Sequence, residues 1–414
     1  MTANPQPQSG WPQRLSGIFR DREYRALFVT LLLAGLASGT VIPYFALWVV
    51  HVLHGTTREA AWIFVPQGVM GVISGIGQGA LSDRVGRRKP ILLVSMAVTT
   101  AAWLGLSLVV HYGSALVLSG LSGLGGIGLL FSLVGDVIRH KHASGQHGLE
   151  STGFITTMER AAFSLGFLLG PVLGGLVVLG GGYAAVFRAA ALVEVVALGF
   201  GAWALPDPQR LASARRAAQG SLALRDVALL TVLAGAGMAL MAGDTGRSMF
   251  LPLYLTQTLH LPVVAVSGAF SLTVVGELFF MPLSGLLADR IGAARVLMAG
   301  ALAQALFFFL LSHSVRYWEV LLLQVFYALV ISATSGVAIV FSQQMFRGRR
   351  LGLATTTYQS MRGLAPVVNS VLAWATASVV PHIFDALSAL AIFGVILLDV
   401  IRRARGSDPA VESG

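Results

Sequence analysis

The chain has 414 residues, 55% of them hydrophobic and only 11% charged, with a mean hydropathy of +0.77. A water-soluble protein of this length needs far more polar surface to cover its core, so that class is excluded. The net charge of +10 is scattered over short segments, which argues against nucleic-acid binding, and the absence of cysteine excludes disulfides and thiolate chemistry.

Residues 1–25 are polar, proline-rich and basic, and lack the apolar core and small-residue cleavage site of a signal peptide. Twelve apolar blocks follow, at 26–50, 59–81, 90–110, 114–138, 152–178, 183–205, 227–255, 262–287, 294–313, 318–344, 351–378 and 383–402. Each is about long enough to cross roughly 30 Å of hydrocarbon as a helix. They predict an all-α polytopic membrane protein with twelve transmembrane helices. No block alternates strictly between apolar and polar residues, which excludes a barrel. Placing the N-terminus in the cytoplasm puts 22 of the 28 Lys and Arg in cytoplasmic tails and loops, and only Arg58 and Arg316 outside. Both termini are therefore expected inside.

In chain order, the first span carries Tyr44 and Trp48 one turn apart, and the second carries Gln67. These aromatics and this amide are candidate substrate contacts. The second span ends in GALSDRVGRRKPIL, beginning at Gly79. Gly86 permits a tight reversal there. Arg84, Arg87, Arg88 and Lys89 are expected to hold the loop at anionic headgroups, and Asp83 to accept from a nearby helix N-terminus. His140, His142 and His147 follow the fourth span with no carboxylate-rich or helical ligand pattern, so no metal site is expected. In the fifth span, Gly166, Gly170 and Gly174 line one face beside Gly175, and Pro171 bends the helix. Such a smooth, kinked surface suits a helix that pivots against a partner in the other half.

The second half repeats the first. GLLADRIGAARVLM, from Gly285, places Asp289, Arg290 and Gly292 at an offset of 206 from Asp83, Arg84 and Gly86. Pro43 and Pro252, and Arg160 and Arg362, recur at nearly that distance. The pattern predicts six-helix bundles at 26–205 and 227–402, a cytoplasmic linker at 206–226 and a tail at 403–414. In such duplicated proteins the substrate site lies between the halves near mid-membrane.

Six positions in the spans are ionisable and of particular interest. A charge at mid-bilayer costs about 2.5–3.5 kcal/mol on insertion scales, so each needs a partner or a wet cavity. Glu277, midway along the eighth span, is a candidate proton carrier, as are Glu159 and Asp244. Arg160 lies at a depth similar to that of Glu277, and the two are candidates for a pair that forms in one state and breaks in another. Asp244 and Arg247 stand three apart on one helical face and are expected to neutralise each other. Arg362 heads a stripe with Tyr358, Pro366 and Asn369 that would line a polar cavity. Tyr254, Gln324 and Gln359 are further substrate candidates. No nucleotide-binding G-x-x-x-x-G-K-[ST] occurs, and the acids are dispersed over different spans, so neither a primary pump nor an enzyme is expected.

Several of these motifs resemble a known family. G-x-L-S-D-R-x-G-R-R-K at 79–89 is similar to the loop between helices 2 and 3 of the major facilitator superfamily, where it latches the two halves. Gly166–Gly175 resembles G-x-x-x-G-P-x-x-G-G, the fifth-helix signature of that superfamily's proton-coupled exporters. Multidrug members carry an arginine early in the fourth helix, where Ser119 stands here. LPLYLTQTLHLP, VVGELFFMPLSGLLADRIG and GLATTTYQSMRG resemble segments of the sugar efflux transporter family. The resemblance implies a monomeric, cofactor-free exporter of sugars or sugar-like glycosides in exchange for protons, in a bacterial inner membrane and in contact with its lipids. The alternative is a multidrug or amphiphile antiporter of the same fold.

Overall fold

A computed structural model describes residues 19–143, 152–208, 224–338, 341 and 351–406. Helices α1 (Arg22–Val52), α2 (Thr57–Trp62), α3 (Phe64–Val85), α4 (Lys89–Leu106), α5 (Tyr112–Ser122), α6 (Ile127–Ala143) and α7 (Thr152–Ala204) come first. Then follow α8 (Leu224–Leu253), α9 (Val264–Ile291), α10 (Ala293–Ser312), α11 (Tyr317–Ile331), α12 (Leu351–Ala375) and α13 (Val380–Gly406). Single π-helical turns, Tyr254–Thr258 and Ser332–Gly336, extend α8 and α11. No strand occurs among the described residues.

Local chemistry sets several helix ends. Asp21 caps α1, accepting from the backbone N–H groups of Glu23 and Tyr24, and its other oxygen pairs with Lys141 at the end of α6. Thr56 and Glu59 form a reciprocal capping box on α2. The 53-residue α7 is interrupted by Gly182, whose φ of 73° lies in the left-handed region. Ile155 near its start and Leu205 just past its end occupy one apolar cluster, so α7 folds back on itself at Gly182.

Ten segments are long and apolar enough to cross a membrane among the described residues, with α7 counted once although it contains two predicted spans. The outer surface fits a hydrocarbon surrounding: Leu108, Trp203 and Phe279 are each more than 70% exposed.

The tightest packing joins α1 to α7, and it corrects one expectation. The glycine face of α7 is covered by α1, in the same half, and not by a helix of the other half. A Cβ at Gly166 would meet the backbone of Leu32 and Leu36, and one at Gly170 the backbone of Gly39 and Thr40. Only Gly175, at the far end of the motif, faces the other half, at Ser267 of α9. That end is where the halves join. The Tyr44 hydroxyl donates to the Pro171 carbonyl at 2.5 Å and accepts from Ser267 at 2.7 Å. Ser271 donates to the Leu168 carbonyl at 3.0 Å, and Arg58 to Ser378 at 3.1 Å. Gly68 of α3 and Gly363 of α12 cross with their backbones nearly in contact.

The opposite end carries the basic loop. Gly86 closes α3 with φ 76°, its N–H donating to the Ser82 carbonyl at 2.9 Å, while a Cβ at Gly79 would meet nothing within 4 Å. Two of the four expected headgroup contacts turn inward instead. Arg88 pairs with Asp136 of α6 at 2.8 Å, and Lys89 donates to the Leu205 carbonyl at 2.7 Å. Arg87 reaches Asp207 at 3.6 Å, while Arg84 is exposed. In the second copy Asp289 and Arg290 are exposed, ahead of Gly292 with φ 94°. The side chain of Asp83 lies outside the described residues. Burial pushes the Arg88 guanidinium down from its usual value, and the Asp136 carboxylate pulls it back up. Asp136→Ala would strand Arg88 in that niche. It should destabilise the purified protein by about 3 kcal/mol, read as a fall in melting temperature in detergent.

Candidate functional site

Between the halves, on the side of the basic loop, α7, α8, α9 and α12 present the ionisable residues. Arg362 of α12 has a side chain 62% exposed and pairs with Asp244 of α8 at 3.1 Å. The second Asp244 oxygen accepts from the Tyr327 hydroxyl of α11 at 3.2 Å. Asp244 is thus committed to Arg362, and the expected pairing with its helix neighbour Arg247 is replaced. The reason is direction: Arg247 points into the bundle of α8, α9 and α11, away from Arg362.

Arg247 is 4% exposed. It donates to Gln324 at 2.6 and 2.9 Å and to Thr273 at 2.6 Å. Its guanidinium lies 4.6 Å from the Phe270 ring centre and 4.5 Å from that of Tyr327. Aromatic faces replace water around this cation, and neutral acceptors take its hydrogens. The result is a fixed positive charge buried among α8, α9 and α11.

Glu277 of α9 makes no hydrogen bond or ion pair with any described residue, yet it lies within electrostatic range of Asp244, Arg247 and Arg362. No Arg160–Glu277 pair forms among the described residues. Arg160 of α7 is exposed, with its guanidinium 5.8 Å from the Phe131 ring centre, and is close enough to Arg362 for their like charges to oppose each other. Glu159 is fully buried, and neither of its oxygens has a hydrogen-bond partner among the described residues. It stands seven residues before Gly166, so it extends the face that packs on α1.

Several substrate candidates are core residues in this conformation. Trp48 is 0% exposed and packs on Phe45 and Phe187. Tyr254 donates to the Ser314 carbonyl and packs against Phe384. Gln324 holds Arg247, and Asn369 donates to Thr245 at 2.8 Å. Tyr44 belongs to the closed end described above. Burial removes these residues from contact with a substrate in this conformation, although the Trp48 indole N–H and the Asn369 carbonyl oxygen have no hydrogen-bond partner among the described residues. Gln67 donates to Ser122 at 3.1 Å and lines a cavity within the first half. The side chains of Tyr358 and Gln359 lie outside the described residues.

The residues missed by pattern are Thr273, Phe270 and Tyr327, which form the Arg247 cage. A signal existed in the spacing, since Gln324 and Tyr327 stand three apart on one face of α11. Arg160, Arg362 and Asp244 together offer exposed donors and an acceptor. That set suits a neutral, hydroxyl-bearing solute better than a lone cation.

A family model described as Major Facilitator Superfamily matches residues 27–268 and 233–413. Sugar efflux transporter A of Dickeya chrysanthemi is 26% identical over 369 residues, covering 87% of this chain and 90% of that protein. Sugar efflux transporter B of Salmonella typhimurium is 26% identical over 377 residues, with the same coverages of 87% and 90%. Among solved structures, the nucleoside transporter NupG superimposes with a TM-score of 0.71 at 14% identity, covering 92% of this chain and 98% of its own. The peptide transporter POT in complex with sulfate gives 0.73 at 17% identity, covering 96% of each chain. At those identities the structural likeness concerns the fold alone.

Proposed function

The chain belongs to the major facilitator superfamily, and we propose that this membrane transporter exports a sugar or sugar-like small molecule in exchange for protons. The observation that carries the reading is the Arg362–Asp244 pair, whose arginine is exposed, within electrostatic range of Glu277, which has no hydrogen bond or ion pair with any described residue. A sugar hydroxyl both donates and accepts, so it can answer Asp244 and Arg362 at once. The names of the two relatives support the substrate class.

The place where the halves meet supports alternating access. They are hydrogen-bonded through Tyr44, Ser267, Arg58 and Ser378 at the end away from the basic loop. With the basic residues oriented to the cytoplasm, the hydrogen-bonded end faces outward. Export then requires the Tyr44–Ser267 contact to break and the loops at 79–89 and 285–295 to draw together. Glu277 serves as the proton carrier: protonated from outside, it ceases to attract Arg362, and deprotonation inside returns that attraction as the next substrate enters. The domains are two six-helix bundles at 26–205 and 227–402, with both termini cytoplasmic.

The test uses proteoliposomes loaded with a pH dye under an imposed proton gradient, with sugars and cationic drugs added in turn. Sugar-dependent proton movement, reduced at least tenfold in Glu277→Gln, is the expected result. Movement with drugs alone would replace the sugar reading by a multidrug one on the same fold.

A further inference from the structure

Glu159 is a carboxyl group inside the spans that the transport cycle above leaves unused. It is 0% exposed, and both of its oxygens lack a hydrogen-bond partner among the described residues. Its place is the seam between α1 and α7, since Glu159, Ala162, Gly166 and Gly170 follow one face of α7 at helical spacing. The contacts along that seam step from Gly35–Phe163 to Gly39–Phe167, so the two helices run in the same direction. One turn back, the same register sets Glu159 level with Leu31, which is 0% exposed and shares an apolar cluster with Ile155 and Ala162.

No described countercharge answers it. Between Arg25 and His51, α1 carries no acidic or basic residue, and its one phenol, Tyr44, is bonded at the far end. The only charged residue of α4 is Lys89, which donates to the Leu205 carbonyl. On α6 the charges gather at the end: Asp136 pairs with Arg88 and Arg139, and Lys141 with Asp21 and Glu23, with His140 among them. On α7 itself, Arg160 turns to the Phe131 ring. Arg188 and Glu194 belong to the limb beyond Gly182, where Glu194 lines the cavity of the first half. Helix α9 meets α7 further along, at Ser271 and Leu168, and its Glu277 lies among Asp244, Arg247 and Arg362. None of these groups is within electrostatic range of Glu159.

An ionised carboxylate with neither a donor nor a cation beside it is among the least tolerated groups in an apolar interior, and such a group is held neutral instead. We propose that Glu159 is a second proton-binding site, loaded in this conformation, and that loss of its proton parts α1 from α7. The O–H bond breaks, the proton passes to water, and the carboxylate left behind has to be hydrated. Water reaches it only when the two helices separate, because their backbones touch along the rest of the seam. Proton release and opening of the seam are therefore one event. Glu277 differs, since the charges around it belong to the second half, whereas Glu159 is enclosed within the first. The proposal does not depend on the sugar reading and applies to a transporter of any solute.

The test uses the full-length protein in nanodiscs. The chain has no cysteine, and Ala162 is 0% exposed, so Ala162→Cys places a single thiol in the seam one turn from Glu159. Its modification by methyl methanethiosulfonate is followed from about pH 6 to about pH 9 and divided by the rate in the same variant carrying Glu159→Gln, so that the thiolate fraction cancels. The glutamine keeps the shape of the neutral acid and cannot ionise. The ratio should rise at least tenfold over that range. A second measurement leaves the seam without a thiol: the infrared stretch of a protonated carboxyl should be present in the unmodified protein at the low-pH end and missing from Glu159→Gln. A flat ratio, or no labelling at the high-pH end, would overturn the coupling to the seam. Identical infrared spectra for the two proteins would overturn the proton site itself. Sugar-dependent proton movement in proteoliposomes is read separately, so either failure leaves the sugar reading where it stands.

Discussion

Asp244→Asn is expected to lower substrate-coupled proton transport on the order of a hundredfold while changing thermal stability by less than about 1 kcal/mol. The small stability effect follows from exposure. The Arg362 side chain is 62% exposed, and an ion pair with one partner in water contributes little to folding. Transport is different, because removing the carboxylate frees Arg362 to turn to Glu277, which lies within its electrostatic range. A permanent Arg362–Glu277 pair would hold the proton carrier ionised and block its cycle. A hundredfold loss corresponds to about 2.7 kcal/mol in the coupling step. Arg362→Gln should be as damaging for the opposite reason, since Asp244 and Glu277 then face each other uncompensated. The double variant Asp244→Asn with Arg362→Gln separates the explanations. Recovery of about tenfold over either single variant means the residues act through each other. A double variant as inactive as the singles would mean that each contacts the substrate on its own, which would sink the pairing argument.

Gly170→Val should cause the largest loss of stability. A Cβ at Gly170 would sit 2.5 Å from the Cα of Gly39 and 2.6 Å from the N of Thr40. Those are backbone atoms, so no rotamer change relieves the contact and α1 must move away from α7 as a unit. Overpacking that side chains can absorb costs about 1–3 kcal/mol. Here the cost should exceed that range, since the separation also loosens the Gly35–Phe163 and Gly166–Leu32 contacts along the same seam. The measurement is the detergent melting temperature and the yield of monodisperse protein. Gly180→Ala is the control on the same helix, because a Cβ there meets nothing within 4 Å. A Gly170→Val protein as stable as Gly180→Ala would show that the seam has slack.

The contrast between Asp244 and Glu194 shows how far pattern reaches. Asp244 was identifiable as chemically costly, since any carboxylate inside an apolar block must find compensation. Its partner was misread because Arg247, three residues on, is the nearest basic residue in sequence. Arg362, 118 positions away, is the partner in space. Glu194 carried no legible role at all: helical spacing shows which residues share a face, and not whether the neighbouring helices leave a cavity against it. The GxxxG face likewise announced a close helix approach, while the identity of the approaching helix had to come from packing.

The sequence alone determined the membrane location, the helical class, the repeat at an offset of 206 and the chemical types available in the spans. These are local or additive properties: hydropathy sums over a window, and a motif such as DRxG turns where glycine permits it. Tertiary structure alone decided which end of the molecule is joined, which arginine holds which carboxylate, and that Trp48 and Tyr254 are core while Arg362 is open. Those outcomes depend on the rotation of each helix about its axis and on its neighbour's distance. Side-chain volumes from distant parts of the chain set both, and in particular the glycines that let α1 meet α7 and α3 meet α12.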